Sequence, residues 1–514
     1  MHIMAHGILK GVNMNKFVEN AKVVGSRKFT ENGGDAFSST NGGALLDLFG
    51  VVGALRTRAD FEIESKFAAA CKENLELATR LMFYARNVRG GLGERHTFRI
   101  MLKWFCRNYT DLAIANIPNV AEFGRFDDLY EYLDTPAEKA MWDWAFHRLN
   151  DDYEKMLANK PISLLAKWLK SINTSSEESR KLARRTMTAL GFKTEKQYRK
   201  VLARMRDYLS VTEHQMSAQE WAEINYSQVP AYAIKNYGSA FAKHDYERWN
   251  AYLNALKNHT KGVKVNASTL YPYDLVRKIR HGWESYVYDE LTEQQWKALP
   301  NYVGDGANVL VMADVSGSMY GYGREVAPID SSIGLAIYFA QRNHGAFANL
   351  YMTFSRTPEF KTVRATDSLA EAARNASRDG GYNTDLDAAF RLVYNTAVRN
   401  NVPAEDMPRA LVVISDMEID QYMRRNSSLS FVDEWKRRFN TAGYTMPQLV
   451  LWNVEARQDT YLGLARENVK YLSGNSASTF RDLIDTLNCR SAYDAMVKIL
   501  MNPMYDKVIT KVGK

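Results

Sequence analysis

The chain of 514 residues holds only three cysteines, Cys71, Cys106 and Cys489. An odd, scattered set excludes a disulfide scaffold and a four-cysteine zinc site, and it fits a reducing compartment. No run of ~18 apolar residues occurs, so no membrane span is expected. The opening MHIMAHGILKGVNMNKF is broken by His, Gly, Lys and Asn before an apolar core forms, which makes it a poor signal peptide. A cytoplasmic protein is the default expectation. Catalytic signatures are missing as well. The nine histidines form no HExxH or HxH pattern. Neither a GxxxxGK[ST] phosphate loop nor a GxSxG nucleophile elbow occurs. GGLGER and NGG are Gly-rich but follow no strand, so they read as turns. No enzyme is expected.

What is there reads as globular. Apolar residues make up 46% and charged residues 25% of the chain, which excludes wholesale disorder. Lys and Arg number 67 against 59 Asp and Glu, a net +8. That excess permits a polyanionic partner without demanding one.

Residues 1–40 are rich in Gly, Asn, Ser and Lys and read as an irregular N-terminal arm. From about residue 41 to 295 the spacing of apolar residues is helical. FAAACKENLELATRLMFYAR reads as one long amphipathic stretch, and ISLLAKWLKSI, SRKLARRTMTALG and YERWNAYLNAL continue the rhythm. Antiparallel helix pairs stacked as a solenoid are expected, although no fixed-period repeat stands out. Between Leu291 and Val303 the pattern changes. NVLVMA, FANLYMTFS, RALVVIS, PQLVLWNVEA and VKYLSG read as strands alternating with helices. The fold class is therefore α plus α/β, the second part a doubly wound parallel sheet over residues 303–500.

Two constellations carry chemistry. Asp314-Val315-Ser316-Gly317-Ser318 directly follows the strand NVLVMA, where ligand sites of open α/β sheets lie. A carboxylate and two hydroxyls make a hard oxygen cluster suited to Mg²⁺. Thr384 in GGYNTDLD and Asp416 in ISDME fall on loops at equivalent positions. The competing reading has Asp314 and Ser316 merely capping the next helix. Asp385, Asp387, Glu418 and Asp420 lie near in sequence, as further ligands or as solvated acids. The second constellation is basic. Lys167, Lys170, Arg180, Lys181, Arg184, Arg185, Lys196, Arg199 and Lys200 crowd residues 161–210, with Arg204 and Arg206 beyond them. Their spacing gives one-sided stripes of the kind phosphate attraction requires. Tyr198 and Trp168 are candidates for stacking on bases. An ordinary solvated face is the alternative. Arg86, Arg89, Arg95 and Arg99 form a smaller group that pairing or helix capping also explains.

The DxSxS, Thr and Asp loops resemble those of a von Willebrand factor A domain. That resemblance implies Mg²⁺ held directly by Ser316, Ser318 and Thr384, and through water by Asp314 and Asp416. One open position would take the carboxylate of an acidic protein partner. A helical region followed by such a domain resembles the TROVE proteins, the Ro autoantigen family. FYARNVRGGLGERHTFR, IPNVAEFGRFDDLY, VNASTLYPYDLV, NGGALLDLF and ISDMEID resemble an uncharacterised TROVE-like branch. The resemblance implies a ring of HEAT-like helices closed by the A domain, with small structured non-coding RNA as the partner and no catalysis.

Overall fold

The structure is a computed structural model that describes residues 25–512, except 283, 304–307, 322–326, 355–356, 379–383, 420–430 and 465–468. The first 24 residues of the expected arm lie outside the described residues. The rest of that arm is ordered as a hairpin, β1 (Arg27–Phe29) pairing antiparallel with β2 (Asp35–Phe37). Gly33 takes a positive φ of 83° in its turn, and the Thr30 hydroxyl accepts from the Gly34 N–H. A two-stranded ribbon is marginal alone in water. This one is held by the rest of the chain: Phe37 and Tyr461 exchange both backbone hydrogen bonds.

Helices run from Ala44 to Lys297. The stretch expected as one long helix is two, Asp60–Glu73 and Leu75–Arg86. Asn74 makes the break. Its backbone is extended and its side chain accepts from the Leu77 N–H, capping the second helix. Phe67 and Phe83 from these helices, with Phe98 and Phe105 from the next helix, His96–Asn108, are fully buried in a common core. A separate cluster, built on Tyr226, Phe241 and Trp249, serves the helices Ala231–His244 and Tyr246–Lys257. The two short strands β3 (Arg280–Gly282) and β4 (Ser285–Tyr286) follow.

A six-stranded sheet forms the C-terminal part, in the order β10-β9-β8-β5-β6-β7. Its strands are β5 (Val309–Asp314), β6 (Leu350–Phe354), β7 (Phe360–Thr362), β8 (Ala410–Ser415), β9 (Gln448–Asn453) and β10 (Lys470–Ser473). All pairs are parallel except β6 with β7. Alternate residues of the central strands enter different cores. Leu310, Met312, Leu411 and Val413 join one, with the helices Leu386–Arg399 and Ala492–Leu500. Val309, Val311, Val412 and Ile414 join the other, with the helix Pro328–Arg342. The sheet is thus covered by helices on both faces, which is why its strands read as unbroken apolar runs.

Both ends of the helical run rest on this α/β part. At the first end Gly53 N–H donates to Ser473 Oγ, and the Ala54 carbonyl accepts from the Ala456 N–H. At the other end Arg280 forms a two-pronged pair with Asp330, at 2.6 and 2.9 Å. The helix Glu290–Lys297 straddles the expected boundary. Leu291 packs in the helical cluster, and Trp296 packs with the sheet, its indole N–H donating to Gln341.

Candidate functional site

The strand order reverses direction between β5 and β8. From β5 the chain builds outward through β6 and β7, then returns to add β8 on the other side. A crevice opens at the carboxyl ends of such a strand pair. Asp314 is the last residue of β5, and Asp416 follows the last residue of β8. Both are 1% exposed. Asp314 Oδ1 accepts from the Ser316 N–H at 2.9 Å, and Oδ2 accepts from the Ser415 hydroxyl at 2.6 Å. The Ser316 and Ser318 hydroxyls lie 3.2 Å apart. Thr384 is buried just before the helix Leu386–Arg399. Ser316 makes no side-chain cap to the short turn that follows it. Asp314, Ser316, Ser318 and Asp416 are therefore brought together by strand topology, and capping does not explain them.

The electrostatics are those of a crowded anionic site. Burial pushes the Asp314 carboxyl up to about 7, and the charge of Asp416 adds to it, against the opposing hydrogen bonds from Ser316 and Ser415. Two buried carboxylates beside serine hydroxyls are hard oxygen donors that a small divalent cation would neutralise. Asp314, Asp416 and the serine hydroxyls are the residues that would hold such an ion. Among the described residues no group of three or more His, Cys, Asp and Glu is placed to hold a metal ion. The neighbouring acids are engaged elsewhere. Asp385 caps the helix Leu386–Arg399, Asp387 accepts from the Trp435 indole, and Glu418 accepts from the Glu31 N–H and the Thr460 hydroxyl. Asp420 lies outside the described residues.

Sequence reasoning missed Arg457. Its guanidinium donates to Asp416 Oδ2 at 2.7 Å and pairs with Glu31 Oε2 at 2.9 Å. The only sequence signal is a cation in the loop after β9, the strand next to β8.

The basic constellation divides in two. On the helix Glu177–Ala189, Arg180 donates to the Thr174 and Ser175 carbonyls, Lys181 pairs with Glu177, Arg184 with Glu195, and Arg185 with Asp134 and Glu138. Lys167 pairs with Glu213 and lies over Trp168, and Lys170 lies over the Tyr130 ring. Arg206 donates inward to the Ala166 and Leu169 carbonyls. The helix Glu195–Tyr208 differs. Tyr198, Leu202 and Met205 face the core, while Lys196, Arg199 and Lys200 are exposed and have no acidic partner among the described residues. Arg204 extends the same face, beside Tyr153. Tyr198 is 0% exposed and its hydroxyl donates to the Lys170 carbonyl, so it is unable to stack on a base. Trp168 is half-buried, with Arg125 4.2 Å from its ring. The smaller group is structural in two members. Arg86 and Arg99 both hold Asp128 at 2.7 Å.

Fold and site together define a two-part chain, a helical region seated on an α/β domain with an oxygen-rich crevice. Residues 30–156 and 162–306 match the family described as "Domain of unknown function (DUF2828)", and the chain belongs to that family. Residues 308–502 match a second, "Domain of unknown function (DUF7788)". A relative, "Uncharacterized protein L728" of Acanthamoeba polyphaga mimivirus, is 26% identical over 498 residues, covering 89% of this chain and 84% of that protein. Among solved structures, "Crystal structure of Deinococcus radiodurans RO (RSR) protein" is 14% identical, with a TM-score of 0.43 over 89% of this chain and 99% of that one.

Proposed function

We propose that the chain is a non-catalytic, Ro-like RNA-binding protein that holds small structured RNA on its helical region. The observation that carries this reading is the exposed face Lys196, Arg199 and Lys200, continued by Arg204, which lacks acidic partners among the described residues. Cations already paired to carboxylates gain little from a phosphate. Unpaired ones gain the full attraction and release counterions from the RNA. The contact surface is therefore the helix Glu195–Tyr208, and the neighbouring helix Glu177–Ala189 acts as its support. The test is purification at low salt, followed by extraction and sequencing of bound nucleic acid. A discrete small RNA supports the reading. A chain that carries no nucleic acid, and shifts no structured RNA at low salt, contradicts it.

A second reading is favoured by the crevice. Asp314, Ser316, Ser318, Thr384 and Asp416 would hold Mg²⁺, which would present an electrophilic centre to the carboxylate of an acidic protein partner. Ser415 and the Ser316 N–H orient Asp314 for that task. Asp314→Ala is expected to abolish Mg²⁺-dependent partner capture. Capture that survives this substitution contradicts the reading.

A further inference from the structure

The loops around the crevice are joined to the N-terminal hairpin by an unusual density of polar contacts. The Glu31 N–H donates to Glu418 Oε2 at 2.6 Å, Asn32 Nδ2 donates to the Glu418 carbonyl, and the Thr30 hydroxyl donates to the Ile419 carbonyl. Lys28 Nζ donates to Gln458 Oε1 and to the Asp459 carbonyl, and Gln458 Nε2 donates to Glu31 Oε1. Arg457 stands at the centre. Its side chain is 22% exposed, and it bridges Asp416, which is 1% exposed, to Glu31 in the hairpin turn.

Resting on the Mg²⁺ reading above, we propose that Arg457 is a tethered counter-cation that occupies Asp416 and couples the crevice's affinity for a divalent cation to the seating of the N-terminal hairpin. Asp314 and Asp416 place two carboxylates in a buried crevice. Among the described residues, the positive charge within hydrogen-bond distance of Asp416 is Arg457. A divalent cation drawn to the same carboxylate repels the guanidinium at short range, where little water screens it. Each therefore weakens the other's hold on Asp416. Because Arg457 also holds Glu31, loss of its grip on Asp416 loosens the hairpin. Linkage is reciprocal, so a firmly seated hairpin lowers cation affinity by the same factor that the cation unseats it. The hairpin is then a strap over the crevice, tight without the cation and loose with it.

The experiment is calorimetric titration of the full chain with Mg²⁺ and with Mn²⁺, together with hydrogen exchange at the amides of residues 27–37. Arg457→Gln is expected to bind Mg²⁺ at least tenfold more tightly than the natural chain. Arg457→Lys keeps the charge and is expected to bind like the natural chain, which separates a lost cation from a damaged fold. Mg²⁺ is expected to speed exchange of the hairpin amides in the natural chain. In Glu31→Gln those amides are expected to exchange fast without Mg²⁺. Equal or weaker binding by Arg457→Gln, in a protein where Asp314→Asn abolishes binding, overturns the strap and leaves the metal site standing. Binding unchanged by Asp314→Asn overturns the metal reading and the strap with it. The same holds if neither the natural chain nor Arg457→Gln binds either ion.

Discussion

Arg184 on one basic helix donates to Glu195 at the start of the next, at 2.9 Å. This one contact separates the two basic stripes. It joins the helix Glu177–Ala189 to its neighbour and neutralises an arginine of the first. Lys196, Arg199 and Lys200 of the second, beyond Glu195, face outward. Arg185 does the same toward Asp134 and Glu138. Arg184→Gln and Arg185→Gln are expected to lower stability by no more than about 1 kcal/mol each, as exposed ion pairs do, and Arg180→Gln, which loses hydrogen bonds to two carbonyls, by about the same. RNA affinity is expected to change by less than threefold. Denaturant melts and RNA titrations of the three variants check both statements.

A buried ion pair behaves differently. Arg86 and Asp128 are 3% and 0% exposed, 2.7 Å apart, and Asp128 also accepts from Arg99 and from the Arg125 N–H. Asp128→Ala leaves the Arg86 charge without its partner in the core. The expected loss is about 3–5 kcal/mol, read as a lower urea midpoint with the slope unchanged.

The seating of the helical region depends on one close backbone approach. A Cβ on Gly53 would lie 2.7 Å from the backbone of Ser473 and Gly474. Gly53→Ala must push the helical region off the edge strand β10, and a destabilisation of about 2 kcal/mol or more is expected. A thermal melt of this variant, beside Gly25→Ala as the control where a Cβ meets open space, measures it.

Asp482 gives the molecule a pH dependence. Burial pushes its carboxyl up to about 7, Asp485 adds to that, and Arg481 opposes it. The folded state thus binds a proton that the unfolded state releases near the ordinary carboxylate range. The stability contributed by this group is complete below about pH 4 and is lost as pH rises through about 7. The full swing is up to roughly 4 kcal/mol by the pKa difference. Asp482→Asn is expected to flatten the decline in stability between about pH 4 and 7, which melting curves at several pH values register.

The sheet and its crevice were legible because their signals are local. Each apolar run ends in a polar loop, and Asp314, Ser316 and Ser318 lie within five residues of one another. Arg457 was not legible. It meets Asp416 from 41 residues away in the chain, through the pairing of β8 with β9, and no spacing rule reports that contact. The hairpin was read as irregular for the same reason, since its support comes from Glu418, Gln458 and Tyr461. On the basic helices the charge count was readable but the pairing was not. Which cations are neutralised depends on how two helices approach, as Arg184 and Glu195 illustrate. Tyr198 does not stack on bases but packs inward, and its spacing with Leu202 and Met205 is that of a core stripe.

RNA binding through the helix Glu195–Tyr208 is tested most directly by a salt titration. A small structured RNA is titrated with the natural chain and with a Lys196→Gln, Arg199→Gln, Lys200→Gln variant between low and physiological salt. Each lost phosphate contact removes about 0.7–0.9 from the slope of log affinity on log salt. The expected result is a slope shallower by about 2–3 and an affinity at low salt reduced at least a hundredfold. A variant with the slope and affinity of the natural chain would contradict the assignment.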